Sequence, residues 1–300
     1  MFWRIIVLII LGLLLLVLVA ALGVARYVMT GKRQTYDEAI AWQGEHCDIS
    51  WFDRELLKTY KVRVSEGYQL ATYYYPNPKP SDKIIIISHG YTDNIFGNLK
   101  YMKMYLDLGF NIVMYDLRGH GINEKTPTTY GVLEAVDLLH VIEDTRFRYP
   151  DTKILGLHGE SLGAATTVTC LKYKPLVNFV VADCPFADIK NVLRAGTKNS
   201  PFAPVLIALG SLGSLLRYNI SFDEMQPVLA VEDNDVPMLF VHGLADDFIV
   251  PENSFRIAKA TKGESTVCTI DGAGHAVSIL TDPVKYKNAV EEFLKSLKVI

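Results

Sequence analysis

Gly159-Glu160-Ser161-Leu162-Gly163 lies between an apolar run of strand length, Lys153–His158, and a helix-forming segment that runs to Tyr173. A G-x-S-x-G between a strand and a helix has the form of a nucleophile elbow. The reason is steric. The serine occupies a sharp, strained turn, and only small flanking residues let strand and helix pass each other. Ser161 is therefore the candidate nucleophile, held at the carboxyl end of a strand.

Outward from this point the pattern repeats. Lys83-Ile-Ile-Ile-Ile-Ser88 is continuously apolar, as a strand buried on both faces should be. Similar runs occur at 111–115, 153–158, 178–183, 238–241 and 265–270, and helix-length segments at 99–108, 132–148, 161–173 and 252–261 separate most of them. This alternation predicts an α/β fold with a mostly parallel central sheet and helices on both faces. Ahead of it, 59–64 and 69–75 alternate in polarity and predict an antiparallel pair around Glu66-Gly67. Residues 186–235 break the rhythm and include the very apolar Pro201–Leu216. A helical cap over the carboxyl edge of the sheet, shaping substrate choice, is the expectation. A long crossover helix buried against the sheet is the alternative.

The N-terminus is of another kind. Ile5 to Val24 is twenty residues without a charge, enough as a helix to cross a bilayer core of about 30 Å. A signal peptide is the alternative, with Gly23-Val24-Ala25 as a small-residue cleavage site, but its apolar region is normally shorter. Residues 1–33 are expected as a transmembrane anchor and flank, 34–58 as a linker with a short helix, and 59–300 as the catalytic domain. The span implies a single-pass protein of the cell membrane. Cations flank it on both sides, so the positive-inside rule does not orient it; the extracellular side is slightly favoured for the domain.

The chain carries 30 basic and 33 acidic residues. Four of the cations and none of the anions fall in residues 1–33, so the remainder has a net charge of −7. With no basic stripe, nucleic-acid binding is not expected. Cys47, Cys170, Cys184 and Cys268 form no C-x-x-C pair and are expected as free thiols. No H-E-x-x-H cluster is present, and the expected chemistry requires neither metal nor cofactor.

A serine hydroxyl needs a base, an acid to orient that base, and donors for the developing oxyanion. In folds with this elbow the chain order is serine, acid, histidine. His275, in Asp271-Gly-Ala-Gly-His275, follows the last predicted strand and is the base candidate. Asp246, just beyond the strand ending at His242-Gly243, is the acid candidate, and its neighbour Asp247 could do the same work. His242 is expected to be structural. The oxyanion donors are expected to be the amides of Leu162, directly after the nucleophile, and of Tyr91, in the loop after Ser88.

On these motifs the chain resembles an α/β-hydrolase, specifically the bacterial membrane-anchored esterase/lipase-like group related to prolyl-oligopeptidase-type catalytic domains. The resemblance rests on Ser88-His-Gly-Tyr91, Tyr115-Asp-Leu-Arg-Gly-His-Gly121, Gly159–Gly163, Val241-His-Gly-Leu-Ala-Asp246 and Gly274-His275, and spans residues 60–298. It implies the triad Ser161, Asp246 and His275, and a structural role for the loop 116–121. Two departures stand out. Asp247-Phe-Ile-Val-Pro251 keeps the family's D-x-x-V-P spacing, whereas the distance from His242-Gly243 favours Asp246, so the acid stays open between neighbours. Asn123 replaces a serine often found after R-G-H-G-x. The expected activity is hydrolysis of a carboxylic ester of a small, apolar acyl substrate. Peptidase or thioesterase chemistry on the same fold is the alternative, and a non-catalytic binding protein the remote one. The oligomeric state is not legible.

Overall fold

The structure is a computed structural model and describes residues 1–198 and 200–300. A 28-residue helix, α1 (Phe2–Met29), leads to α2 (Tyr36–His46) and the hairpin β1 (Lys58–Arg63) and β2 (Gln69–Tyr75). Then follow β3 (Lys83–Ser88), α3 (Leu99–Asp107), β4 (Asn111–Tyr115), α4 (Val132–Arg148), β5 (Ile154–Glu160), α5 (Leu162–Cys170) and β6 (Phe179–Asp183). The inserted segment contains α6 (Ile189–Gly196) and α7 (Ala203–Tyr218). The chain closes with β7 (Met238–Gly243), α8 (Glu252–Ala260), β8 (Ser265–Ile270), α9 (Ser278–Thr281) and α10 (Pro283–Ser296).

The strands form one eight-stranded sheet in the order β1-β2-β4-β3-β5-β6-β7-β8. β2 runs antiparallel to both β1 and β4, and the remaining pairs are parallel. The run Ile84–Ile87 shows why these strands carry no polar alternation. Ile84 and Ile86 enter one apolar core with α4 and α5, while Ile85 and Ile87 enter the other with α3 and α10. Each face is covered, so each face must be apolar.

The chain leaves β3 for β4 on one side and returns to β5 on the other. Ser88 and Gly159 are register partners, so the loops after β3 and β5 emerge side by side. Such a switch point opens a crevice at the carboxyl ends of the strands. Tyr91 and Ser161 lie on its two lips.

The segment expected as a linker, 34–58, carries the short helix α2. It is docked on the domain. Thr35 caps α2 through a capping box with Glu38. Buried Gln43 donates to the Gly97 carbonyl at 3.1 Å, and the Gln34 amide donates to Thr92 at 2.7 Å. Polar composition suggested a solvated connector, but these polar groups serve as fasteners.

α1 divides in two. Its first nineteen residues, Phe2–Ala20, project with almost every side chain exposed, whereas Ala21, Ala25 and Met29 are fully buried against the domain. The seam runs between α1 and α7. A side chain on Gly213 would sit 2.0 Å from the Ala21 carbonyl oxygen, so only glycine permits this approach. Within the range expected as a cap, Asn199 lies outside the described residues. α7 is not a crossover helix buried against the sheet: Phe202, Val205 and Leu216 around it are 71%, 59% and 58% exposed.

Candidate active site

The elbow is built as its residue types require. Ser161 has φ 52° and ψ −112°, a conformation costly for a side-chain-bearing residue. A Cβ on Gly163 would lie 2.1 Å from the Ser88 carbonyl, and one on Gly159 would lie 2.3 Å from that of Gly163. Strand, turn and helix therefore touch backbone to backbone. The strain aims the Ser161 hydroxyl out of the sheet edge at the first turn of α5.

The structure brings Ser161, His275 and Asp246 together. Ser161 Oγ and His275 Nε2 are 2.9 Å apart, and His275 Nδ1 lies 2.7 Å from Asp246 Oδ2. A carboxylate can only accept, so Nδ1 carries the ring proton and Nε2 faces the hydroxyl as an acceptor. Asp246 is buried, and its other oxygen accepts the amides of Phe248 at 3.1 Å and Ile249 at 2.8 Å. Burial by itself would raise this carboxyl, but the His242 and His275 rings beside it outweigh that and hold the group below the usual carboxylate range. Asp247 is exposed on the same turn and makes none of these contacts. His242 is buried behind the acid, accepts from Ser254 Oγ at 2.7 Å and donates to the Ile249 carbonyl at 2.7 Å.

Tyr91 and Leu162 flank the serine on both sides of the switch point. The Leu162 amide opens α5 and belongs to the first-turn N–H groups that a helix leaves unpaired. Among the described residues, the Tyr91 amide donates to no protein acceptor. The Tyr91 side chain accepts from the Gly31 amide at 3.0 Å, stacks on Tyr130, and lies under the Arg33 guanidinium at 4.4 Å. The tether after α1 thus holds this loop.

Residues 116–121 make no contact with the serine. Asp116 accepts the amides of Ile95 at 3.1 Å and Ile122 at 3.2 Å, and Arg118 forms a two-pronged ion pair with Asp137 at 2.6 and 2.7 Å. His89 accepts from the Leu117 amide at 2.9 Å, and burial pushes its pKa down to about 4, so it stays neutral. Asn123 caps the same loop, its amide donating to the Asp116 carbonyl at 2.6 Å.

A buried polar layer behind the elbow was not foreseen. Lys100 on α3 pairs with Glu160 at 2.5 Å and donates to the Ala276 carbonyl at 2.9 Å. The Tyr101 hydroxyl lies 2.5 Å from Glu160 and 2.9 Å from Asp183, so it bridges the two carboxyls with a single proton of its own. One lysine therefore ties the residue before Ser161 to the residue after His275. Lys103, three positions along the same helix, is half-exposed and pairs with Asp107. Sequence spacing cannot distinguish the two lysines.

A cavity of about 410 Å³ opens on Ser161. Tyr130, Phe186, Ile189, Val192, Leu193 and Phe248 form its apolar walls, and among the described residues no charged one lines it. Its inserted wall comes from α6. Leu206 and Leu212 of α7, expected to shape substrate choice as part of the cap, are not among the lining residues. Tyr27, on the last turn of α1, does line it. A larger depression of about 920 Å³ around Lys79, Asp82 and Arg148 shares no residue with this site. The donor atoms of Cys184, Asp246 and His275 lie within 4.8 Å of one another. The last two are already engaged with each other, and burial pushes the Cys184 thiol up and keeps it protonated.

The family model of the prolyl oligopeptidase family matches residues 96–298, more than half of the chain. The chain belongs to the prolyl oligopeptidase family. It is a serine hydrolase with the α/β-hydrolase fold. YqkD of Bacillus subtilis (strain 168) is 28% identical over 290 residues, covering 93% of this chain and 94% of that protein. Among solved structures, the Pyrococcus furiosus esterase Pf2001 superposes with a TM-score of 0.65 at 23% identity, over 82% of this chain and 96% of the esterase. The acylaminoacyl peptidase of Pyrococcus horikoshii gives a TM-score of 0.62 at 16% identity, over 81% of this chain and 41% of the peptidase.

Proposed function

We propose that this family member is a membrane-anchored carboxylic ester hydrolase acting through Ser161, His275 and Asp246. The continuous relay from Asp246 through His275 to Ser161, opening on an uncharged apolar cavity, carries this reading. Ser161 Oγ attacks the acyl carbonyl while His275 Nε2 takes its proton. Asp246 keeps the ring tautomer and stabilises the imidazolium. The amides of Tyr91 and Leu162 receive the oxyanion. The imidazolium gives its proton to the departing alcohol. A water, deprotonated by His275, then releases the acid from Ser161.

The cavity favours an acyl chain over a charged group, each buried methylene contributing about 0.8 kcal/mol. Residues 186–235 act as the cap, with α6 as its working wall. Phe2–Ala20 serve as the membrane anchor, and burial of Ala21, Ala25 and Met29 supports a helix retained with the domain rather than cleaved.

The test is fluorophosphonate labelling together with hydrolysis of p-nitrophenyl esters and of peptide amides. Wild type should label and cleave esters, whereas Ser161→Ala should not label and should lose about 10⁴-fold or more in kcat with an unchanged Tm. Near wild-type turnover in Ser161→Ala would sink the reading. Faster cleavage of peptide amides would move the protein to the peptidase side of its family.

A further inference from the structure

We propose that α7 lies in the membrane interface beside α1, and that the cavity at Ser161 takes its acyl chain directly from the bilayer. The substrate class is then a membrane-resident acyl lipid with its ester at headgroup depth. This rests on the ester-hydrolase reading above for the chemistry, but not for the membrane seat.

Three observations converge. First, α7 is wrong for water. From Ala203 to Leu216 it has no charge, and its face away from the core presents Val205, Leu212 and Leu216, each more than 40% exposed, with Phe202 just ahead. Arg217 closes the run. An apolar outer face is what a helix seated against lipid needs, because lipid offers polar groups no partner.

Second, this face is continuous with a membrane span. α7 packs on α1 at Ala21 and Val24, where the uncharged run of α1 ends and Arg26 begins the polar flank. Small residues at the crossing are what close packing of helices in lipid requires, because apolar burial drives nothing there. The free, uncharged part of α1, Ile5–Ala20, is about 24 Å long at 1.5 Å per residue and fills most of the hydrocarbon core, with Arg4 at the far boundary. Seating it in the bilayer places Ala21 and the α7 crossing at the lipid boundary.

Third, the cavity reaches that same level through Tyr27, a lining residue that is itself exposed. Tyr27 lines its rim and lies three residues past Val24, about 4.5 Å along the helix. Tyrosine at this depth fits the aromatic belt of a membrane boundary. Gly196 and Thr197, on the chain leading toward α7, complete this part of the rim. A chain leaving the bilayer beside α1 would meet the cavity without crossing water.

The experiment uses the full-length chain reconstituted in phosphatidylcholine vesicles. Single-site NBD labels at Leu212→Cys, Leu18→Cys and Phe147→Cys report exposure to doxyl-labelled lipid, with the unsubstituted chain as a background control for native cysteines. Phe147 is an exposed apolar residue on α4, outside the α1–α7 layer. The seat predicts quenching at Leu212 comparable to Leu18 and none at Phe147. Quenching at Leu212 no greater than at Phe147 would overturn it. Activity supplies the second arm. Leu212→Glu/Leu216→Glu should lower hydrolysis of a long-chain monoacylglycerol in vesicles by about ten-fold or more, while a short soluble ester stays within about two-fold. Equal loss on both substrates, or none on either, would overturn bilayer access. A quenched Leu212 without hydrolysis of any ester would leave the membrane seat standing and remove the ester reading. Ester cleavage with an unquenched Leu212 would do the reverse.

Discussion

The carboxyl edge of the sheet and the layer of α1, α6 and α7 above it are joined by different forces. Around Ser161 the side chains are tied by hydrogen bonds and ion pairs: Asp246 to His275, Glu160 to Lys100, Tyr101 to Asp183. The upper layer has few such ties and is held by small and apolar contacts, Ala21 on Gly213 and Val24 on Gly210. Polar networks fix distances to tenths of an ångström, which proton transfer needs. Apolar contacts fill space and tolerate exchange, which suits a wall that selects chain shape. The difference separates the part that sets the chemistry from the part that sets the substrate, and each can be broken alone.

The largest expected effect lies in the relay itself. Asp246→Asn would leave an amide where only an acceptor can fix the His275 tautomer, a change worth about 10⁴ in kcat in a comparable protease. Asp247→Asn should change kcat less than about two-fold, since its side chain faces solvent. Steady-state kinetics of both variants on one ester decide the matter, and a more crippled Asp247→Asn would overturn the assignment.

Next comes Lys100, a positioning residue that touches no reacting atom. Lys100→Met would free the Ala276 carbonyl beside His275 and leave Glu160 buried without its cation. Misplacement by about 1 Å can lower kcat by about 10², and kcat rather than KM should carry the loss. Lys100→Met/Glu160→Gln removes the stranded charge and should recover thermal stability but not turnover. Full recovery of kcat in the double variant would reduce Lys100 to a stability element.

The polar edge was largely legible in the sequence and the apolar layer was not. Ser161, Asp246 and His275 follow strand ends, where continuous apolar runs and flanking glycines give position away. The mostly parallel sheet followed from the alternation of buried runs with helices, whereas the placement of β3 between β4 and β5 did not. The choice between Asp246 and Asp247 was not legible, because adjacent carboxylates on a turn differ only in which way the backbone points them. Lys100 was hidden because a buried lysine and a solvated one look alike at helical spacing. Tyr27 and Gly213 were hidden for a different reason. Their roles arise from contacts between segments far apart in the chain, and a long apolar helix gives no sign that Tyr27 on its last turn lines the cavity at Ser161.

That last point gives a third prediction, smaller in its effect on turnover. Deleting residues 1–20 should give a soluble protein with the ester activity of the full chain on short substrates. Deleting 1–33 removes Met29, Tyr27 and the Arg33 contacts to Tyr91 and Thr128, so activity should fall by about ten-fold with a lower Tm. Gly213→Ala should mimic part of this loss. Its Cβ would meet Ala21 backbone, and overpacking of this kind costs about 1–3 kcal/mol. Thermal melting and short-ester kinetics of the three variants make the comparison, and identical behaviour of both truncations would detach α1 from the site.

The smallest effect concerns the pH response of the polar edge. Burial, and then the charge of Glu160, push the Asp183 carboxyl up to about 6, and its Oδ1 has no hydrogen-bond partner. The folded state therefore holds this proton more tightly than the unfolded chain, whose aspartates titrate near 3.9. Stability linked to the group is full below about pH 4 and is lost as pH rises through about 6. Above that, the ionised carboxylate remains as a standing cost of up to about 3 kcal/mol. Asp183→Asn keeps an acceptor for Tyr101 and removes the ionisation. Its Tm relative to wild type should rise between pH 4 and pH 7 and stay level above, while kcat on a short ester changes little, because Asp183 touches neither Ser161 Oγ nor His275. Melting curves that stay parallel across this range would show that Asp183 does not change its protonation on folding, and would overturn the linkage.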